Sequence, residues 1–183
     1  MVDLRKRIGM ISKLVEERPD LGKTAIMKML FLLQQAYKVP LGYDYEIYTY
    51  GPYSSEVMND IDFASQMGAV SITAVSYPTG YIGYNLKPTE KTQETISTAG
   101  EIISDNLGVI KEVIRLFGDK PAKELELSTT IIYLYANYVA NNWDASVDEI
   151  TTNVHEIKPH FNQDTIRQEY KRLKENGLLD KAV

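Results

Sequence analysis

The sequence predicts a mainly α-helical fold carrying a small β-hairpin. Three observations predict it: apolar residues recur at helical spacing over most of the chain, one pair of β-prone runs flanks a Pro-Thr-Gly turn, and glycine or proline punctuates each segment. Hydrophobic residues make up 44% of the 183, enough for a real core.

"LRKRIGMISKLVEERP" reads as a first helix, with Leu4, Ile8, Ile11 and Val15 on one face and Pro19 ending it. Asp20 is placed to cap the next helix, "LGKTAIMKMLFLLQQAYK". Its apolar residues from Ile26 to Leu33 cover nearly the whole circumference, as in a central core helix. "YDYEIYTYG" alternates and reads as one strand, stopped by Gly51-Pro52. Ser54 or Ser55 then caps a helix to about Met67. Ser71–Ser76 and Tyr81–Leu86 form the hairpin. Helix, helix, strand, helix, hairpin is the order of a winged helix, which we assign to residues 1–89.

Residues 90–118 read as one long linking helix. Ile96, Ala99, Ile103, Leu107, Ile110, Ile114 and Phe117 form a seam of roughly 3.5-residue period. Packing on its own domain is the leading expectation for this seam, and a homodimer through residues 96–117 the second. "FGDKP" opens a three-helix, helix-turn-helix-like unit over 119–183. Its helices start near Pro121, at Ser146 (with Glu149, a capping box) and after Asn162. In the last, Ile166, Tyr170, Leu173, Gly177 and Leu179 repeat Val57, Ile61, Ala64, Gly68 and Val70 at an offset of 109.

Several functions are set aside by what is missing. Cysteine is absent, which removes disulfides, thiolate metal sites and cysteine nucleophiles. The sequence holds no apolar run of membrane-spanning length, and its charged beginning does not read as a signal peptide, so we expect a cytoplasmic protein with no membrane partner. "LGKT" lacks the earlier glycine of a phosphate loop, since position 17 is Glu, and it follows a helix instead of a strand. His155 and His160 are five apart with Pro159 between them, which does not suit a helical metal pair. No serine sits in a G-x-S-x-G elbow. No catalytic, metal or cofactor-binding residue is assigned, and the chain is expected not to be an enzyme.

"KTAIMKMLFLLQQAY" followed by "YTYGPYSSEV" resembles the Panacea-type domain of antitoxins from bacterial and phage toxin–antitoxin systems, and more closely the small YwgA-like group. The shared features are a lysine before a leucine-aromatic run, Lys28 to Leu33, and Tyr-Gly-Pro-aromatic-Ser, Tyr50 to Ser54. The resemblance covers roughly residues 10–70 and implies a partner-binding, non-catalytic role.

Charge gives two competing surfaces. The chain carries net −5, but residues 1–38 hold net +4 and residues 39–119 net −7. Such segments serve different partners or neutralise each other. The acidic, tyrosine-rich middle predicts a protein-binding face at Tyr50, Tyr53, Glu56 and Asp60, suited to a basic partner such as a toxin. Tyr43, Tyr45, Tyr81 and Tyr84 are candidates to extend it. The alternative is DNA binding by the last helix, through Gln163, Arg167, Gln168, Lys171, Arg172 and Lys174.

Overall fold

The structure is a computed structural model that describes residues 3–76, 78, 80 and 82–183. It is mainly helical, with two small antiparallel two-stranded sheets. The first two helices, α1 (Leu4–Glu17) and α2 (Lys23–Gln35), fall where periodicity puts them. Asp3 caps α1 by accepting from the Arg5 amide at 3.0 Å.

Asp20 does not cap α2. The N-cap is Gly22, two residues further on, and Asp20 lies in the link with φ +68. Its amide donates to the Leu86 carbonyl at 2.8 Å, while the Leu86 amide donates to the Leu21 carbonyl at 2.9 Å. The link between α1 and α2 thus joins the edge of the larger sheet.

The tyrosine-rich strand is also different from expectation. It is a short hairpin, β1 (Glu46–Tyr48) and β2 (Gly51–Tyr53), with Tyr48 opposite Gly51. Gly51-Pro52 therefore begins the second strand and does not end the first. Helix α3 (Ser55–Gln66) follows, with Ser54 at its N-cap. The larger sheet pairs β3 (Val70–Ser76) with β4 (Ile82–Pro88). Tyr81 lies outside the described residues.

The linking helix is two helices, α4 (Thr92–Ala99) and α5 (Glu101–Phe117), broken at Gly100 with φ +61. They fold back onto α1, and α5 also onto α2. Ala99, Ile103, Ile110 and Phe117 of the expected seam are buried in this packing. The seam's innermost residues are thereby engaged within the chain. Beyond it lie α6 (Ala122–Ala140), α7 (Val147–Ile157), α8 (Gln163–Glu175) and the short α9 (Leu178–Lys181). Ser146 and Asn162 cap α7 and α8 as expected. In the 109-residue repeat, both sets of apolar positions are buried, and Gly68 and Gly177 adopt φ +77 and +67.

One continuous cluster of buried side chains runs from α1 and α2 through α5 to α6 and α8. Helix α2 is its centre: from Ile26 to Leu33 every residue is buried, including Lys28. Among the described residues, no helix is long and apolar enough to cross a membrane.

The α1–α4 contact depends on Gly9. A Cβ there would lie 2.2 Å from the Ala99 Cβ. Gly9→Ala is expected to lower stability by about 1–3 kcal/mol through overpacking. Adding Ala99→Gly should recover part of the loss, and urea midpoints of the single and double variants check both statements.

Candidate functional site

The β1–β2 hairpin is held by two lysines whose burial would be costly without oxygen acceptors. Lys28 is 2% exposed, and its Nζ donates to the Pro52 carbonyl at 2.5 Å. Lys158, at the end of α7 and 3% exposed, donates to the Tyr48 carbonyl at 2.7 Å and also to the Thr49 carbonyl. Its charge is met by Glu126 of α6, whose Oε1 lies 3.2 Å away. The same oxygen is 3.3 Å from His160 Nε2. It has no well-aligned hydrogen bond, so both approaches are ionic or polar contacts.

Gly51 permits this arrangement. Its φ is +83, and a Cβ would sit 2.9 Å from Thr130 Oγ1 and 3.3 Å from the Glu126 carbonyl. Strand β2 lies directly on α6 because this residue has no side chain. The Gly-Pro pair is thus explained by a close approach between two segments far apart in sequence.

With its base fixed, the hairpin presents its turn to solvent. Tyr48 is 62% exposed and Tyr50 67%. The Tyr48 ring stacks obliquely on Tyr53, centroids 5.6 Å apart. Beside them opens a cleft of about 950 Å³. Ile47–Tyr50 form one wall, Ala122, Lys123 and Glu126 of α6 the second, and Ile157, Lys158 and His160 the third, with Thr24 between.

The other expected site residues divide. Tyr50 is on the exposed turn, and Tyr53 is half-buried beside it. Glu56 is exposed but 3.7 Å from Arg7. Asp60 is buried and cannot serve as a surface contact. It accepts from Tyr43 Oη at 2.8 Å and lies 3.8 Å from Arg7. Burial raises its carboxyl pKa above the ordinary value; the Tyr43 hydrogen bond and the Arg7 charge oppose that rise, and Glu56 adds to it. Tyr43 is core, and Tyr45 packs edge-on against Phe31 at 5.1 Å; neither extends the face. Tyr84 is exposed, but on β4, with Lys23 over its ring.

On α8, Gln163, Gln168, Lys171 and Lys174 are exposed. Arg167 is paired with Asp148. Arg172 makes two hydrogen bonds to Glu169, at 2.7 and 2.6 Å, and lies over the Phe117 ring. Both arginines chosen from sequence as DNA contacts thus have a carboxylate partner on the protein, Arg167 in an exposed pair. His155 is occupied by the Phe161 carbonyl at 2.8 Å. Among the described residues, no three His, Asp or Glu side chains converge as a metal site.

The Lys28–Glu126–Lys158 group was missed from sequence. A signal existed: Lys28 sits in a helix apolar nearly all round, and Glu126 sits between Leu125 and Leu127. A charge in such a position must be buried and must have a partner.

Two outcomes follow from this geometry. Gly51→Val should cost about 1–3 kcal/mol from backbone strain, with the Thr130 contact adding to it; an unchanged denaturation midpoint would contradict the close approach. The second concerns pH. Burial, reinforced by Lys158 and opposed by Glu126, lowers the Lys28 pKa from 10.5 to about 7. Between those values the unfolded chain holds the extra proton, so this group makes stability rise as pH increases above 7. Lys28→Met removes that rise. Wild type should therefore gain stability relative to the variant between pH 7 and about 9, below tyrosine ionisation, as read from denaturant midpoints.

No protein-family model matches this chain, and no curated protein matches it significantly.

Proposed function

We propose that the chain is a non-catalytic, antitoxin-like binding module that recognises a protein partner through the β1–β2 turn and the adjoining cleft. The observation that carries this reading is the pairing of exposure with rigidity. Tyr48 and Tyr50 stand in solvent, on a turn whose base is fastened by two buried lysines. Tyrosine on a preorganised support supplies contact area at low entropic cost, which is the physics of an interaction hot spot. Large aromatics this exposed are otherwise a liability.

Lys28 has the lowered pKa that catalytic lysines show. It lies behind the hairpin, 2% exposed and bonded to a carbonyl, so we read it as part of the support. The resemblance of residues 10–70 to the Panacea-type and YwgA-like domains agrees with a partner-binding role. The winged-helix reading of residues 1–89 is supported by the element order and by the pairing of Leu21 with Leu86 at the sheet edge.

DNA binding through α8 is the second reading. It rests on Gln163, Gln168, Lys171 and Lys174, exposed on a helix that packs on α6 and α7. Lys171→Glu should abolish low-salt DNA retardation if that reading holds.

Capture from native-host extract by wild type and by Tyr48→Ala/Tyr50→Ala, run beside a gel-shift on mixed-sequence DNA, separates the two. We expect a protein retained by wild type and lost with the double variant, and no DNA retardation. DNA retardation lost in Lys171→Glu, with captured protein indifferent to the tyrosines, would reverse the assignment.

A further inference from the structure

We infer that the cleft takes an extended segment of the partner protein in which a carboxylate neighbours an aromatic or aliphatic side chain; this rests on the protein-binding reading above. The apolar half of the claim comes from the lining. Tyr48, Tyr50 and Ile157 are 62, 67 and 44% exposed around one opening, which Ile47 also lines. A volume of about 950 Å³ accommodates several side chains of an extended chain.

The acidic half comes from charge. Among the described residues lining the cleft, Glu126 is the one carboxylate, and it is buried against Lys158 and His160. Lys123 is exposed on the rim, in the first turn of α6, and no carboxylate among the described residues lies within ion-pair distance of it. Helix α6, 19 residues long, has Pro121 at its N-cap and no side-chain hydrogen bond capping it. The dipole favours negative charge in this first turn, where Glu124 already stands, paired with Lys120 at 2.7 Å, so the attraction for a further anion rests on Lys123. Two cationic side chains against one carboxylate, with His160 beside them, leave the cleft complementary to an acidic group in a chain that is otherwise net −5.

These features also bear on the class of anion. A polyphosphate needs several clustered cations, and this wall is tyrosine and isoleucine with Lys123, whose Nζ lies 5.5 Å from the Phe161 ring centroid and keeps its charge there. A single carboxylate beside a hydrophobic side chain matches both. The chemistry is the reverse of the basic partner that the acidic middle segment suggests. Three carboxylates of that segment, all on α3, are met within the chain: Asp60 and Glu56 by Arg7, and Asp62 by Lys23 at 2.5 Å.

The test is selection from a random peptide display library on the full chain, followed by fluorescence anisotropy of the selected peptides. Tyr48→Ala/Tyr50→Ala and Lys123→Glu both change exposed residues, and near-UV circular dichroism verifies their fold. We expect enriched peptides with Asp or Glu beside Phe, Tyr, Trp or Leu. Their affinity should fall about tenfold in Lys123→Glu, where repulsion replaces attraction, and be lost in the double tyrosine variant. Enriched peptides that are neutral or basic, indifferent to Lys123→Glu but lost with the tyrosines, overturn the acidic segment and leave the protein-binding reading intact. Failure to enrich anything over the double tyrosine variant overturns both.

Discussion

A buried lysine amine must find an oxygen acceptor, and in this protein that requirement helps decide where the tyrosine hairpin lies. Lys28 comes from the central helix and Lys158 from the end of α7, 130 residues later. Both end on backbone carbonyls of the same short hairpin, at Pro52 and at Tyr48 and Thr49. The carbonyls of a tight turn are oxygen-rich and have few competing donors, so they are natural acceptors for a desolvated lysine. Glu126 then supplies the counter-charge to Lys158 from α6. The early and late parts of the chain are joined at one polar point, and the aromatic turn is set on top of it.

Burying an ion pair rarely adds stability over a well-packed hydrophobic replacement, because desolvation offsets the attraction. Here the lysines serve carbonyls as well as a carboxylate. An aliphatic side chain in place of Lys28 would leave the carbonyl of the buried Pro52 without its donor, at a cost of about 1–3 kcal/mol. The network is better understood as a positional device. It fixes one arrangement of the hairpin among the several that a three-residue strand pair could adopt, since a ladder this short specifies its own placement weakly.

How much of this was legible depends on the range of the interaction. Helices α1, α2, α3, α7 and α8 come from local periodicity and caps, and so does the β3–β4 hairpin. The failures share a cause. Asp20 looks like a cap until Leu86 claims its amide. Gly51-Pro52 looks like a strand end until α6 is seen beneath it. The 90–118 helix looks continuous until Gly100 lets α4 turn back on α1. Each was decided by a partner far along the chain. For the site, the alternation of the strand left open whether Tyr48 and Tyr50 or Ile47 and Thr49 face inward, and residue type alone picked Asp60, Arg167 and Arg172, each of which has a partner within the chain.

Charge shows the same lesson at the scale of the whole chain. The contrast between net +4 in residues 1–38 and net −7 in residues 39–119 invites a picture of opposed surfaces. Instead Arg7 reaches Asp60 and Glu56, Lys23 reaches Asp62, and Lys87 reaches Asp20. The first segment neutralises part of the second because α1 and α2 pack on α3, so opposite charges in sequence become neighbours in space. Segmental net charge therefore says little about a face until packing has paired what it can. A charge matters for recognition where packing has left it over. At the mouth of the cleft that residue is Lys123, which rests over the Phe161 ring with no carboxylate among the described residues in ion-pair reach, beside the exposed Tyr48 and Tyr50.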